Sequence, residues 1–64
     1  MAGSGKFTAA VKLNGRWGAI RWTADLGFLE FEPAEPNTRA KARRVAAGHE
    51  HDYGDEPGTI TFEQ

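Results

Sequence analysis

His49-Glu50-His51-Asp52, with Asp55 three residues further on, is the cluster in this 64-residue chain whose residue types suit metal binding. On an extended segment His49 and His51 point to the same side and can share an ion with Asp52, because imidazole nitrogen and carboxylate oxygen are ordinary zinc ligands. The spacing matches no metal-binding signature, however. Three glycines and a proline mark residues 48–58 as a loop. A solvated loop that happens to carry histidines is the simpler account, so neither a resident metal nor another cofactor is expected.

Residues for covalent or acid–base catalysis are sparse. The chain has no cysteine, its one serine is Ser4, and no glycine-rich loop precedes a helix to cradle phosphate. Glu30 and Glu32 stand two apart on one strand face. A ladder with Arg21 explains them without a cleft that would perturb their ionisation. A non-enzymatic chain with no small-molecule substrate is the expectation.

Two groups of side chains suggest binding instead. Arg39, Lys41, Arg43 and Arg44 lie on a helical stretch and, with Arg16, are the nucleic-acid contacts to consider. More commonly such residues form the solvated side of an amphipathic helix. Trp17, Lys12, Ala19, Arg21 and Phe28 fall on one face of a predicted sheet and make a partner-binding surface. Aromatics interleaved with cations are also how single strands are held.

The elements that place these residues begin with a hairpin. Asn14-Gly15 separates two alternating runs, and a type I′ turn needs positive φ at both central residues. That turn sets Leu13 against Arg16, Val11 against Gly18, Ala9 against Ile20 and Phe7 against Trp22 on an apolar, inner face. Lys12 and Trp17, Ala10 and Ala19, Thr8 and Arg21, and Lys6 and Thr23 then make the outer face. A four-residue turn at Ala24-Asp25-Leu26-Gly27 continues the apolar face with Trp22 opposite Leu29 and Ile20 opposite Phe31. It also pairs Arg21 with Glu30, whereas a three-residue turn sets Trp22 against Glu30.

Pro33 and Pro36 end the third strand. Asn37 or Thr38 caps a helix running to about Ala47, with Gly48 as its C′ residue. Thr59–Glu63 alternates as a fourth strand with Ile60 and Phe62 inward. The expected core is Phe7, Val11, Leu13, Ile20, Trp22, Leu29, Phe31, Val45, Ile60 and Phe62. The fold class is α+β: an antiparallel β-meander of order β-β-β-α-β, with one helix packed against the inner face of the sheet. Residues 1–5 read as a flexible N-terminal segment or a remnant of cloning, and 6–64 as a single small domain.

Gly18-Ala-Ile-Arg-Trp22 followed by Gly27-Phe28-Leu-Glu-Phe31 resembles the cold-shock domain signature, in which a G-x-V-K-W strand precedes K-G-F-G-F-I. The resemblance implies an OB-type barrel with Trp22 and Phe28 stacking bases. The sequence departs from that family in a shorter intervening loop, in Leu26 where the family has lysine, in lacking the second aromatic motif, and in a helix where the barrel has strands.

Net charge is −1, unlike the strongly basic balance of a generic polyanion binder. The charges alternate in blocks along the chain, basic to residue 29, acidic over 30–36, basic over 37–48 and acidic beyond, which suits pairing inside a compact domain. Without cysteine there is no disulfide framework, and a reducing cytoplasm suits the chain. No apolar run approaches a membrane span. Alanine- and arginine-rich usage hints at a bacterial or phage source. The resulting expectation is a small binding module that engages a protein, a second copy included, through the outer sheet face around Trp17. The alternative is nucleic-acid binding through that face or through the basic helix 38–47.

Overall fold

A computed structural model describes residues 5–60. Three antiparallel strands, β1 (Lys6–Leu13), β2 (Arg16–Thr23) and β3 (Gly27–Pro33), are followed by the helix α1 (Arg39–Tyr53) and a two-residue strand, β4 (Glu56–Pro57). They form one sheet in the order β3-β2-β1-β4 with β4 parallel to β1. The architecture is the expected α+β meander with one helix on one face. It is an open sheet with β3 and β4 at its edges, not the closed barrel that the cold-shock resemblance implies.

The Asn14-Gly15 turn behaves as its chemistry requires. Both residues sit in the left-handed region, with φ of 51° and 81°, where glycine pays no Cβ penalty and asparagine little. All eight β1–β2 pairs, from Lys6 opposite Thr23 to Leu13 opposite Arg16, take the expected register.

The second turn differs from expectation. Thr23 pairs with Gly27 and Trp22 with Phe28, so three residues turn the chain, and Thr23 Oγ1 accepts the Leu26 N–H at 2.8 Å. A bulge beyond Phe28 takes up the odd residue, Leu29, and restores the pairs Arg21–Glu30, Ile20–Phe31 and Ala19–Glu32. Phe28 therefore shares a face with Trp22, and Leu29 is exposed instead of joining the core.

The helix lies on the opposite face from the one expected. Beneath it are Thr8, Ala10, Ala19 and Arg21, and Ala19 and Ala42 are fully buried where sheet and helix meet. A helix whose inward stripe is Ala42, Ala46 and His49 approaches a sheet closely over small side chains. Thr8, Ala10 and Ala19 offer that flat bed, whereas Phe7, Leu13, Ile20, Trp22 and Phe31 would hold the helix away. Alternation marked the two faces correctly; bulk matched to bulk decided which one the helix covers.

The helix also runs further than its Ala47 limit. Thr38 is its N-cap, its hydroxyl accepting the Lys41 N–H at 3.1 Å. Gly48 lies inside α1, and the left-handed C-cap is Gly54, whose N–H bonds the Glu50 carbonyl at 3.1 Å. An interior glycine costs a helix about 1 kcal/mol; His49 and Tyr53, both tied to the sheet, offset it.

The fourth strand is also displaced. Thr59 and Ile60 are not in a strand, while β4 pairs Glu56 with Phe7 and Pro57 with Thr8. The rest of the expected strand, including Phe62, lies outside the described residues, as do residues 1–4. Of the expected core, Val11 and Ile20 are buried, and Phe7, Leu13, Trp22, Phe31, Val45 and Ile60 are half-buried. Among the described residues the largest side chain excluded completely from solvent is Thr8.

Candidate functional site

Two features stand out: a polar seam between α1 and the sheet, and the bare apolar face beyond it. In the seam, the Thr8 hydroxyl donates to the Ile20 carbonyl at 3.0 Å and lies 3.1 Å from His49 Nδ1. A hydroxyl has one proton, so with that proton committed to a carbonyl its oxygen accepts from Nδ1–H. Both residues are almost wholly buried, Thr8 at 1% and His49 at 4% exposure. The ring's other nitrogen, Nε2, is 2.8 Å from Glu32 Oε1 at the open margin of the seam. One donor atom each from Glu30, Glu32 and His49 lies within 4.8 Å of the others.

Beside this cluster, Arg21 reaches Asp55 with both ends of its fork, Nε to Oδ2 at 2.6 Å and a terminal nitrogen to Oδ1 at 3.1 Å. The Asp55 side chain is fully buried, and the Tyr53 ring lies 3.9 Å from the guanidinium carbon. The hydrogen bonds to Asp55 raise the Arg21 pKa above its ordinary value; burial opposes this, and the Asp55 and Glu30 charges add to it. α1 and the segment after it thus deliver His49, Tyr53 and Asp55 to one line of contacts along β2 and β3.

The other face of the sheet carries Phe7, Ala9, Val11 and Leu13 from β1, Arg16, Gly18, Ile20 and Trp22 from β2, and Phe28, Phe31 and Pro33 from β3. Among these described residues Arg16 alone is charged. Phe7 and Trp22 stack with ring centroids 5.7 Å apart. Gly58 passes over them, so close that a Cβ there would stand 2.6 Å from the Trp22 ring. Elsewhere on this face Val11 and Ile20 are buried, and Leu13 and Phe31 are half-buried. Phe28 is 61% exposed, and Leu26, at the neighbouring turn, 79%.

The expected partner surface around Trp17 is divided by this arrangement. Ala19 is sealed beneath α1, Arg21 is engaged with Asp55, and Trp17 is half-buried with its backbone N–H and carbonyl both bonded by the Asn37 side chain, at 2.9 and 2.7 Å. Lys12 is exposed at the margin of that face, and Phe28 belongs to the opposite one. The basic residues are spread out as well. Arg39 and Arg43 line a groove of about 280 Å3 that also includes Glu50, Thr8 and Ala10. Lys41 is half-buried, Arg44 is exposed, and Arg16 sits beside Pro33 and Glu35 at the far end of the sheet.

His49, His51 and Asp52 do not converge. They lie on a helix, where residues two apart point about 200° away from each other. His51 faces solvent, 3.2 Å from Asp52, while His49 turns inward to Glu32. Sequence reasoning placed Thr8 beside Arg21 without giving it a role, and grouped Asp55 with the histidine cluster instead of pairing it with Arg21. The available signal for Thr8 was a small polar residue on the same strand face as Ala10 and Ala19, opposite an alanine-rich helix.

No helix among the described residues is long and apolar enough to cross a membrane. No family model, curated protein or solved structure matches this chain.

Proposed function

We propose that the protein is a small, non-enzymatic binding module of the cytoplasm whose contact surface is the helix-free face of the sheet, and that the partner is a second copy of the chain. The observation that carries this reading is the lopsided placement of bulk. Phe7, Leu13, Trp22, Phe28 and Phe31 share the face away from α1, while alanines and polar groups lie under the helix and Trp17 stands at the end of that covered face.

Two physical arguments favour a second copy over other occupants. In a two-fold contact the same patch meets itself, so a face whose one charge among the described residues is Arg16 brings little like-charge repulsion. The molecule is also a slab of 35 × 27 × 15 Å, and its broad side matches the ~800 Å2 per partner of a standard interface. The same shortage of charge disfavours single-stranded nucleic acid, whose stacking platforms are flanked by cations for the phosphates. Lack of cysteine is what suits a reducing compartment.

Sedimentation across a concentration series tests the reading. The expected result is a monomer–dimer equilibrium that Phe28→Glu weakens by roughly tenfold or more, the effect of losing about 1.4 kcal/mol or more at an exposed apolar contact. A chain that stays monomeric at high concentration, with or without that substitution, overturns it. A salt-sensitive shift with oligonucleotides would favour nucleic-acid binding instead.

A further inference from the structure

We propose that His49 Nε2, Glu30 and Glu32 form a binding site for a divalent first-row metal ion of the zinc class. The inference rests on the seam between α1 and β3 and is independent of the bare sheet face.

His49 is held as a metal-ligating histidine is held. Such rings donate one N–H to a fixed acceptor, which sets the tautomer and aims the other nitrogen outward. Thr8 Oγ1 is that acceptor: it is nearly inaccessible to solvent, and its own proton is committed to the Ile20 carbonyl. Nε2 then points to the seam's open edge, where two carboxylates converge on it from alternate residues of β3.

At 2.8 Å, Nε2 and Glu32 Oε1 are joined in one of two ways. In the first, a second N–H donates to the carboxylate and makes an ion pair, and Glu30 faces Arg21, its cross-strand neighbour. In the second, the nitrogen lone pair and the carboxylate share a cation, which Glu30 completes. Ligands around a tetrahedral zinc stand roughly 3.3–3.5 Å apart. The three donor atoms, all within 4.8 Å of one another, reach that spacing by small rotations of the exposed glutamates while the buried imidazole stays fixed.

The electrostatics suit a dication. Two carboxylates and a neutral imidazole carry −2; Arg21, opposite Glu30 on β2, offsets part of that charge while it is held in the two-pronged bond to the buried Asp55 carboxylate. A mixed nitrogen and oxygen donor set suits zinc or manganese better than calcium or magnesium, which take oxygen ligands. Solvent fills the remaining positions, because both glutamates are exposed.

The test is calorimetric titration of the full chain with Zn2+, with Mg2+ as the control ion, alongside thermal unfolding. One Zn2+ per chain and a raised unfolding midpoint are expected. Glu30→Gln and Glu32→Gln, both at exposed positions that leave the fold standing, each weaken binding by at least roughly tenfold. His51→Ala is expected to leave binding unchanged. Zn2+ should shift the Nε2 resonance of His49 and leave Nδ1 protonated. Absence of Zn2+ binding overturns the proposal, and so does binding that Glu30→Gln spares and His51→Ala abolishes, since that would be the surface pair His51–Asp52.

Discussion

Thr8 Oγ1 and His49 Nδ1 meet at 3.1 Å across the helix–sheet interface, from positions 41 residues apart in the chain. The contact is the one place where α1 is fixed to the centre of the sheet by a buried side-chain hydrogen bond among the described residues, and it sets the direction in which the His49 ring looks.

Thr8→Val keeps the shape of that side chain and removes its hydroxyl. The buried Nδ1–H then has no acceptor, and an orphaned buried donor costs about 1–3 kcal/mol. Urea unfolding should show a lower midpoint by that amount, whereas Thr8→Ser, which keeps the hydroxyl, recovers most of the loss.

Gly18→Ala tests the packing of the bare face. A Cβ at Gly18 would stand 2.4 Å from the Glu32 carbonyl oxygen and 2.6 Å from Phe31 Cζ. Backbone cannot retreat without loosening the β2–β3 ladder, so overpacking is expected to cost about 1–3 kcal/mol. The denaturation midpoint should fall with an unchanged slope.

Asp55→Ala removes the partner of a nearly buried guanidinium. Breaking such a pair costs about 3–5 kcal/mol, because the remaining charge stays desolvated. Arg21→Lys is milder in charge but still destabilising: it gives up the two-pronged bond and the stacking on Tyr53. The pH dependence follows from sign. A folded-state pKa raised above the unfolded value means stability that is fully present below the unfolded pKa and lost as pH rises through the folded one. For arginine that window is strongly alkaline, so the Arg21–Asp55 coupling energy from a double-mutant cycle should be the same at neutral pH and at mildly alkaline pH.

In a Trp17→Phe background, Trp22 becomes the sole tryptophan and reports on the bare face. Its emission is expected to shift to the blue as protein concentration rises through the dimer equilibrium, because association takes its ring out of water. Phe28→Glu, which adds a charge beside Trp22 in the cross-strand register, should suppress the shift. Emission that is constant with concentration counts against the dimer.

Local chemistry explains why much of the fold was legible beforehand. The Asn14-Gly15 turn dictates the β1–β2 register, proline ends β3, and Thr38 starts the helix; each is settled by conformational preferences within a few residues. The β2–β3 turn was less legible, since a three-residue turn with a bulge and a four-residue turn restore the same downstream pairs. The His49–Glu32 contact could not be foreseen, because residues 48–53 were expected to be loop and Gly48 to be a helix end. Nothing local reveals that tertiary contacts of His49 and Tyr53 carry the helix through that glycine.

Patterning along the chain specifies two sheet faces of opposite character, the meander that displays them, and a helix with a stripe of small side chains. Tertiary structure decided which face the helix covers, and with it the meaning of every candidate residue: Ala19 and Arg21 went under the helix, Phe28 and Trp22 stayed outside, and His49 turned toward Glu32. The physical reason is that alternation records polarity, whereas helix-on-sheet packing is governed by volume. An alanine stripe settles closely on Thr8, Ala10 and Ala19, and the aromatic face is left on the side away from the helix.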